Sequence, residues 1–110
     1  PDDFVIYTGL DGDFARAGAA GADGVISGVA SAFAKPFVEM REALEKNDDV
    51  RVGRVQDDVD EVVSAIEGSP TRMRAVHRLA GRPVGGRRMP IPEPDADTLA
   101  QLKRMLPRFH

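Results

Sequence analysis

The feature that most constrains this chain is a pair of short apolar segments, each leading into a polar turn that contains glycine. They occupy residues 4–11 and 21–28. Residues 13–20 between them are alanine-rich and long enough for about two helical turns. A strand, a helix and a second strand in this order form a crossover connection. The two strands are therefore expected to pair in parallel.

Both segments are continuous apolar runs rather than alternating ones, which is typical of parallel strands buried on both faces. Two such strands leave two unpaired edges and too small a core to be stable alone. The pattern therefore predicts that this unit belongs to a larger sheet. The first residue is Pro1 rather than Met, which also favours a fragment.

The rest of the chain is predicted to be helical. One helix is expected from Pro36 to about Lys46, and residues 47–49 (Asn-Asp-Asp) should break it. In this helix one apolar face is formed by Phe37, Met40 and Leu44. In a second helix, apolar residues recur at alternating spacings of three and four. Gly68 and Pro70 are expected to end this helix. Its stripe consists of Val52, Val55, Val59, Val62 and Ile66.

Two further helices are predicted near the C-terminus. The first spans about residues 71–80, with Met73 and Val76 inward and Gly81 as its stop. Residues 82–94 are rich in proline and glycine and should form an extended loop. Asp95 or Asp97 is expected to cap a last helix. This helix should bury Leu99, Leu102 and Leu106.

Composition excludes several classes of site. The chain has no cysteine, so disulfides, cysteine-ligated zinc and a thiol nucleophile are excluded; this is compatible with a reducing cytoplasm. No apolar run approaches the length of a membrane span, so no membrane partner is expected. Residues 39–67 carry ten acids against four bases, whereas residues 71–88 carry six arginines and no acid. We expect the arginines to pair with the acidic helix rather than with nucleic acid, since no aromatic platform accompanies them.

The two turns resemble those of the dihydrodipicolinate synthase and N-acetylneuraminate lyase family, which are pyruvate-dependent class I aldolases built on a (β/α)8 barrel. The family's seventh strand ends in glycine, any residue and aspartate, matched by residues 9–11. Its eighth strand follows a Gly-Ala-x-Gly turn and continues into Ile-Ser, matched by residues 21–27. A basic helix, an Arg-x-Pro loop at residues 88–90 and a final helix follow in the family's order.

The resemblance covers nearly the whole chain but only the C-terminal third of a family member. It implies an α/β fold made of the last two βα units of a (β/α)8 TIM barrel, followed by a C-terminal helical extension. Residues 1–47 would hold the two strands with their helices, and residues 48–110 the extension. A complete barrel needs about 250 residues and this chain has 110, so the remainder would lie elsewhere.

The resemblance also implies a chemistry, in which a lysine amine forms an imine with pyruvate that is then joined to, or split from, an aldehyde. The family's imine-forming lysine is on the sixth strand, upstream of Pro1. This chain has only Lys35, Lys46 and Lys103, none on a predicted strand. The isolated chain is therefore expected to be inactive. No cofactor is implied, and the partners would be a 2-keto acid and either further copies of the chain or the missing barrel portion.

By the same resemblance, the chain would supply part of the pocket wall. Gly9 and Asp11 would flank the bound keto acid and the rest of the substrate. The carboxylate and methyl of pyruvate would be lined, partly by backbone atoms, by Ile26, Ser27 and Gly28. Tight strand-to-helix turns need glycine in any case, so Asp11 is the best side-chain candidate.

Three positions depart from the family pattern and leave substrate specificity open. Gly12 stands where many lyases have glutamate, Ser31 where an asparagine is common, and Arg74 where the third helix has a lysine. The alternative function is a non-catalytic oligomerisation or regulatory segment. The apolar stripe at residues 52–66 is also compatible with this function, because such a repeat can form helix–helix contacts between subunits.

Other candidate sites are weaker. Residues 11–13 (Asp-Gly-Asp) lack the remaining ligands of a calcium loop, so no metal is expected there. His77 and His110 are thirty-three residues apart, and no serine or aspartate is arranged to use them. We expect His77 to be a packing residue on a helix face and His110 to be a frayed terminus.

Overall fold

Two short strands form the predicted parallel pair in the computed structural model, which describes residues 2–110. Strand β1 is Tyr7–Thr8 and strand β2 is Gly24–Val25. Tyr7 pairs with Gly24 and Thr8 with Val25. The ladder is extended by a hydrogen bond from the Asp23 amide to the Ile6 carbonyl, at 2.8 Å. The predicted crossover is confirmed, because helix α1 (Phe14–Ala19) connects the two strands.

The strands are not buried on both faces within the described chain, which agrees with the prediction that they belong to a larger sheet. The apolar side chains around them are largely exposed, 69% for Phe4 and 68% for Ile26. The others are Val5, Ile6, Tyr7 and Leu10. Only Val25 of the strand residues packs against the apolar core. The physical reason is that the helices of this chain cover only a small part of the strand pair, so the continuous apolar pattern is left facing outward.

Helix α2 (Gly28–Ala32) directly follows the second strand and is not among the predicted helices. With five residues, it is too short to show a helical period. Helix α3 (Ala34–Glu45) then begins two residues before Pro36 and ends where predicted. Its apolar face is as expected, with Phe37 and Met40 buried. The break that follows is confirmed by Asn47, whose φ of 52° is left-handed.

Helix α4 (Asp49–Ile66) is the long amphipathic helix that the spacing of valines predicts. The Asp48 side chain caps it by accepting a hydrogen bond from the Arg51 amide at 3.0 Å. Its buried residues are Val55, Val59, Val62, Ala65 and Ile66. The helix ends at Glu67 and Gly68, which both have positive φ. Left-handed residues at this position end a helix by satisfying its last carbonyls.

Helices α5 (Pro70–Leu79) and α6 (Ala96–Phe109) complete the chain. Gly81, with φ 76°, stops α5 as predicted. Between the two helices no regular helix or strand forms, which confirms the predicted loop. The cap of α6 is Asp95, whose carboxylate accepts the Thr98 amide at 2.8 Å. This hydrogen bond and that of the Thr98 side chain lower the pKa of Asp95.

One apolar core joins all six helices. It is centred on α4, which packs along α3 and also contacts α2 and α6. Two aromatic pairs lie within this core: Phe14 stacks on Phe37 with centroids 6.5 Å apart, and Phe33 meets Phe109 edge-on at 6.3 Å. Among the helices of residues 2–110, none is both long enough and apolar enough to cross a membrane.

The buried apolar residues of α4 should contribute more to the free energy of unfolding than the exposed residues of the same helix. Val59 is fully buried and Val50, on the same helix, is 87% exposed. We expect Val59→Ala to lower the free energy of unfolding by about 2 kcal/mol, because two methyl groups are lost from a packed core. Val50→Ala should change it by about 0.5 kcal/mol or less. Urea unfolding of both variants checks this, and equal effects would contradict the central place of α4.

The contact between α5 and α6 should make stability depend on pH through His77. Burial lowers the pKa of His77, and the charges of Arg82 and His110 lower it further. The unfolded chain therefore takes up the proton first as the pH falls, so the stabilising contribution is complete above about pH 6.5 and is lost on acidification. We expect the free energy of unfolding to fall as the pH is lowered from about 6.5.

The His77→Gln variant should show a shallower fall over this range. His110→Gln removes only one of the charges that act on His77 and should have the smaller effect. Urea unfolding at several pH values measures both slopes. A His77→Gln slope equal to that of the unsubstituted chain would rule out this source of pH dependence.

Candidate functional site

The five predicted site residues follow the carboxyl ends of the two strands. Gly9 comes directly after β1, and Ile26 directly after β2. The Ile26 amide donates to the Thr8 carbonyl at 2.9 Å, which holds the two strand ends side by side. Because the strands are parallel, both following turns emerge at the same edge. The carboxyl ends of parallel strands are where ligands bind in α/β folds.

Gly9 is exposed, and a Cβ atom built on it meets no heavy atom within 4 Å. Its φ is not left-handed either. The explanation that the turn itself requires glycine is therefore wrong at this position. Within the described chain, neither space nor backbone conformation demands a glycine at residue 9.

Asp11 opens a short 3-10 turn, Asp11–Asp13, that packs against α2 and α4. The turn is fixed to α4 by Gln56, whose Nε2 donates to the Gly12 carbonyl at 3.1 Å and to Asp60 Oδ1 at 2.9 Å. The Oδ1 atom of Asp11 is shielded from solvent and has no hydrogen-bond partner among residues 2–110. A shielded carboxylate oxygen without a donor is unfavourable, so it is a strong acceptor for an approaching donor group.

Ser27 and Gly28 form the start of α2. The Ser27 hydroxyl accepts a hydrogen bond from the Ala30 amide at 2.9 Å, so it caps the helix. The Gly28 carbonyl accepts the Ser31 hydroxyl at 2.6 Å. The hydroxyl of Ser31, which replaces the expected asparagine, is therefore used within α2.

Helix α5 lies directly behind this turn. A Cβ atom on Gly28 would lie 3.0 Å from Met73 Cε and 3.1 Å from its Sδ. Such distances are tighter than ordinary contacts, so a larger residue at position 28 requires the end of the Met73 side chain to shift. Here, unlike at Gly9, a neighbouring side chain lies close to the glycine.

The structure thus brings the five residues to one edge, where the turn of Asp11 contacts α2. The edge is open, since Gly9, Ile26 and Gly28 are exposed. Four cavities in the described residues are lined by other side chains. The arrangement can therefore form one wall of a site, with polar backbone and one carboxylate.

None of the lysines is placed as an imine-forming amine. Lys35 lies in the first turn of α3, Lys46 follows its end, and Lys103 is on α6. All three are exposed, whereas such an amine must be desolvated to be neutral near pH 7. The prediction that no lysine is on a strand is confirmed for the described chain. Within the same residues, no three histidine, aspartate or glutamate side chains are grouped to hold a metal ion.

Sequence reasoning missed the proximity of the two histidines. Helices α5 and α6 contact each other, and His110 contributes to lowering the pKa of His77. Residues thirty-three positions apart are brought together only by tertiary packing, and no local pattern could have shown this.

The arginines pair with carboxylates only in part as expected. Arg72 lies 3.2 Å from Glu67, which directly follows α4, and donates to the Ala65 carbonyl at 2.9 Å. The carboxylate nearest to Arg74 is instead Glu93 of the loop, at 3.8 Å. The cluster therefore serves to hold α5 and the loop together as well as to face the acidic helix.

The capping role of Ser27 gives a test of its structural contribution. We expect Ser27→Ala to lower the free energy of unfolding by about 1 kcal/mol, because the Ala30 amide loses its partner. Ser64→Ala, at an exposed position of α4, is the matched control and should change it by about 0.5 kcal/mol or less. Urea unfolding measures both. An unchanged Ser27→Ala chain would leave the hydroxyl without a structural role.

Comparison with known proteins identifies the family. The model of the Dihydrodipicolinate synthetase family matches residues 1–108. A protein named 4-hydroxy-tetrahydrodipicolinate synthase from Streptococcus gordonii is 36% identical over 106 residues, which are 94% of this chain and 34% of that protein. Proteins of the same name from Streptococcus suis (strain 05ZYH33) and Streptococcus mutans are 36% and 37% identical. These matches cover 93% and 83% of this chain, and 34% and 32% of the relatives.

The chain thus spans about a third of the length of the curated relatives it matches. No solved structure matches it significantly. The family match over nearly the whole chain agrees with the parallel strand pair and with the glycine and aspartate turns at its carboxyl end. On this evidence the chain belongs to the dihydrodipicolinate synthetase family.

Proposed function

We propose that this chain is the C-terminal part of a Schiff-base class I aldolase or lyase that joins or cleaves pyruvate and an aldehyde. The observation that carries the proposal is the shared edge of the two parallel strands. There the Gly9–Asp11 turn and the Ser27–Gly28 turn lie next to each other in a chain of the family. Pyruvate-dependent chemistry of this class needs such a polar edge beside a reactive amine.

In this proposal β1 and β2 are the last two strands of a (β/α)8 barrel. Residues 1–47 contribute the barrel portion and residues 48–110 the helical extension. The exposed apolar side chains around the strands support the proposal, because barrel strands are covered on both sides by neighbouring strands and helices. Without that cover, Phe4, Ile6 and Ile26 form an apolar surface that should associate with the missing barrel portion or with another copy.

The position of each site residue determines which part of the substrate it contacts in this proposal. Gly9 and Asp11 flank the keto acid and the remainder of the substrate, with the shielded Oδ1 of Asp11 accepting a hydrogen bond. Ile26, Ser27 and Gly28 line the carboxylate and methyl of pyruvate. The Ser27 hydroxyl already accepts a bond from Ala30, so this part of the wall acts mainly through backbone atoms.

The reactive amine comes from outside residues 1–110. In the class I reaction that amine attacks the keto carbon, water leaves, and the resulting imine withdraws electrons as the methyl loses a proton. This chain contributes orientation and exclusion of water at the strand ends rather than the covalent bond. The alternative is a non-catalytic oligomerisation or regulatory segment, which the exposed apolar surface also favours.

Borohydride trapping separates the two functions. The isolated chain with pyruvate should give no covalent adduct, because its three lysines are exposed. A chimera of the Streptococcus gordonii enzyme, with its matching segment replaced by residues 1–110, should give an adduct on a lysine outside this segment. A folded chimera that gives no adduct would favour the non-catalytic alternative. An adduct on Lys35 of the isolated chain would contradict the proposed division of roles.

The same chimera tests Asp11. Asp11→Ala should reduce condensation with the aldehyde by about tenfold or more while leaving the yield of the pyruvate adduct nearly unchanged, since Asp11 is placed beside the substrate tail. The matched control is Asp13→Ala, whose carboxylate already binds Arg16 at 2.7 Å. Asp13→Ala should change neither the condensation with the aldehyde nor the yield of the pyruvate adduct. Equal loss of both steps in Asp11→Ala would overturn its assignment.

A further inference from the structure

We propose that a cavity between the first turn of α5 and the loop at residues 81–95 binds a small organic anion with an apolar body. The cavity has a volume of about 180 Å³. An engineered cavity of about 150 Å³ is large enough to hold benzene. None of the five residues assigned to the strand edge lines this cavity, so the site is separate from the proposed function.

The chemistry of the walls defines the ligand. Apolar surface comes from Pro70, Met89 and Ile91. Three arginines also line the cavity, namely Arg74, Arg87 and Arg88, and no aspartate or glutamate does. Most of the cavity surface is apolar, so it fits the hydrocarbon part of a ligand whose carboxylate or phosphate meets the exposed Arg87 and Arg88.

The guanidinium of Arg74 has unused hydrogen-bonding capacity. Its Nη2 donates to the Gly85 carbonyl. Its Nη1 is shielded from solvent and has no hydrogen-bond partner among residues 2–110. The nearest carboxylate oxygen, Glu93 Oε1, is 3.8 Å away, beyond hydrogen-bond distance. Because its Nη1 is shielded, Arg74 contributes its side chain to the wall of the cavity, and the exposed Arg87 and Arg88 supply the charge that attracts an anion.

The loop that carries the other two arginines is held in place. The Thr71 hydroxyl donates to the Pro92 carbonyl at 2.9 Å, and Arg87 Nη1 donates to the Ile91 carbonyl at 2.6 Å. Thr71 itself is 3% exposed. Neither Arg87 nor Arg88 forms an ion pair within the described residues, so both charges are available. The wall is therefore positioned before a ligand arrives, which lowers the entropic cost of binding.

The absence of aromatic side chains from this cavity argues against nucleic acid as the ligand. Single-stranded nucleic acids bind by stacking bases on aromatic rings, and none of the cavity's lining residues is aromatic. A small anion needs only the guanidinium groups and the apolar floor. The compact volume fits a single ring better than a polymer.

Amide NMR titration of the complete chain tests the proposal with phenyl phosphate as the probe. We expect saturable shifts confined to residues 85–91 and the first turn of α5, with a Kd of about 1 mM or tighter. Inorganic phosphate lacks the apolar body and benzyl alcohol lacks the charge. Each should bind at least about tenfold more weakly than phenyl phosphate.

Two substitutions localise the site. Arg88→Gln should weaken phenyl phosphate binding by about tenfold, because a charge-assisted contact is lost. Arg104→Gln, at an exposed position of α6, is the matched control and should leave the Kd unchanged. Both variants lie at exposed positions, and their amide spectra verify the fold. Saturable shifts elsewhere, equal binding of benzyl alcohol or inorganic phosphate, no saturable binding, or equal Kd values for the two variants would each overturn the proposal.

Discussion

The buried stripe of α4 is the contact on which the rest of the structure depends. Val55, Val59 and Val62 lie on one face of this helix, and α3 packs along it. Two elements that carry site residues, the turn with Asp11 and helix α2, are placed by this packing. The turn with Asp11 rests on α4 through Gln56, and α2 contacts α4 as well as the turn. Apolar burial along one long helix therefore fixes the geometry of a polar edge that has little core of its own.

The strands and helices of this chain differ in how completely their apolar side chains are buried. The helices bury their apolar faces and cap their ends, as at Asp48 and Asp95. The segments around the strands have an apolar pattern suited to burial but remain exposed, as Phe4 and Ile26 show. In a self-sufficient domain local pattern and tertiary burial agree, so a disagreement confined to one element indicates where further structure is needed. The family match to only about a third of each relative is consistent with that interpretation.

Most of the fold could be predicted because its helices are long enough to show their period. The stripe of α4, the stop at Gly81 and the cap at Asp95 all have local signals in the sequence. Helix α2 did not, because five residues contain too few turns for a pattern. The proximity of His77 to His110 could not be predicted either, since it depends on how α5 packs against α6. The placement of the turns at one edge followed from parallel pairing, whereas the role of each side chain there did not.

The two glycines of the proposed site show why roles cannot be assigned from a motif alone. At Gly28 the end of the Met73 side chain lies close, so a larger residue requires that side chain to shift. At Gly9 there is free space and an ordinary backbone conformation, so the described chain gives no reason for glycine. If the residue is required there, whatever lies against the exposed edge must require it, either a bound substrate or a neighbouring strand. Gly9 and the shielded Oδ1 of Asp11 are thus the two features of the edge that point beyond this chain.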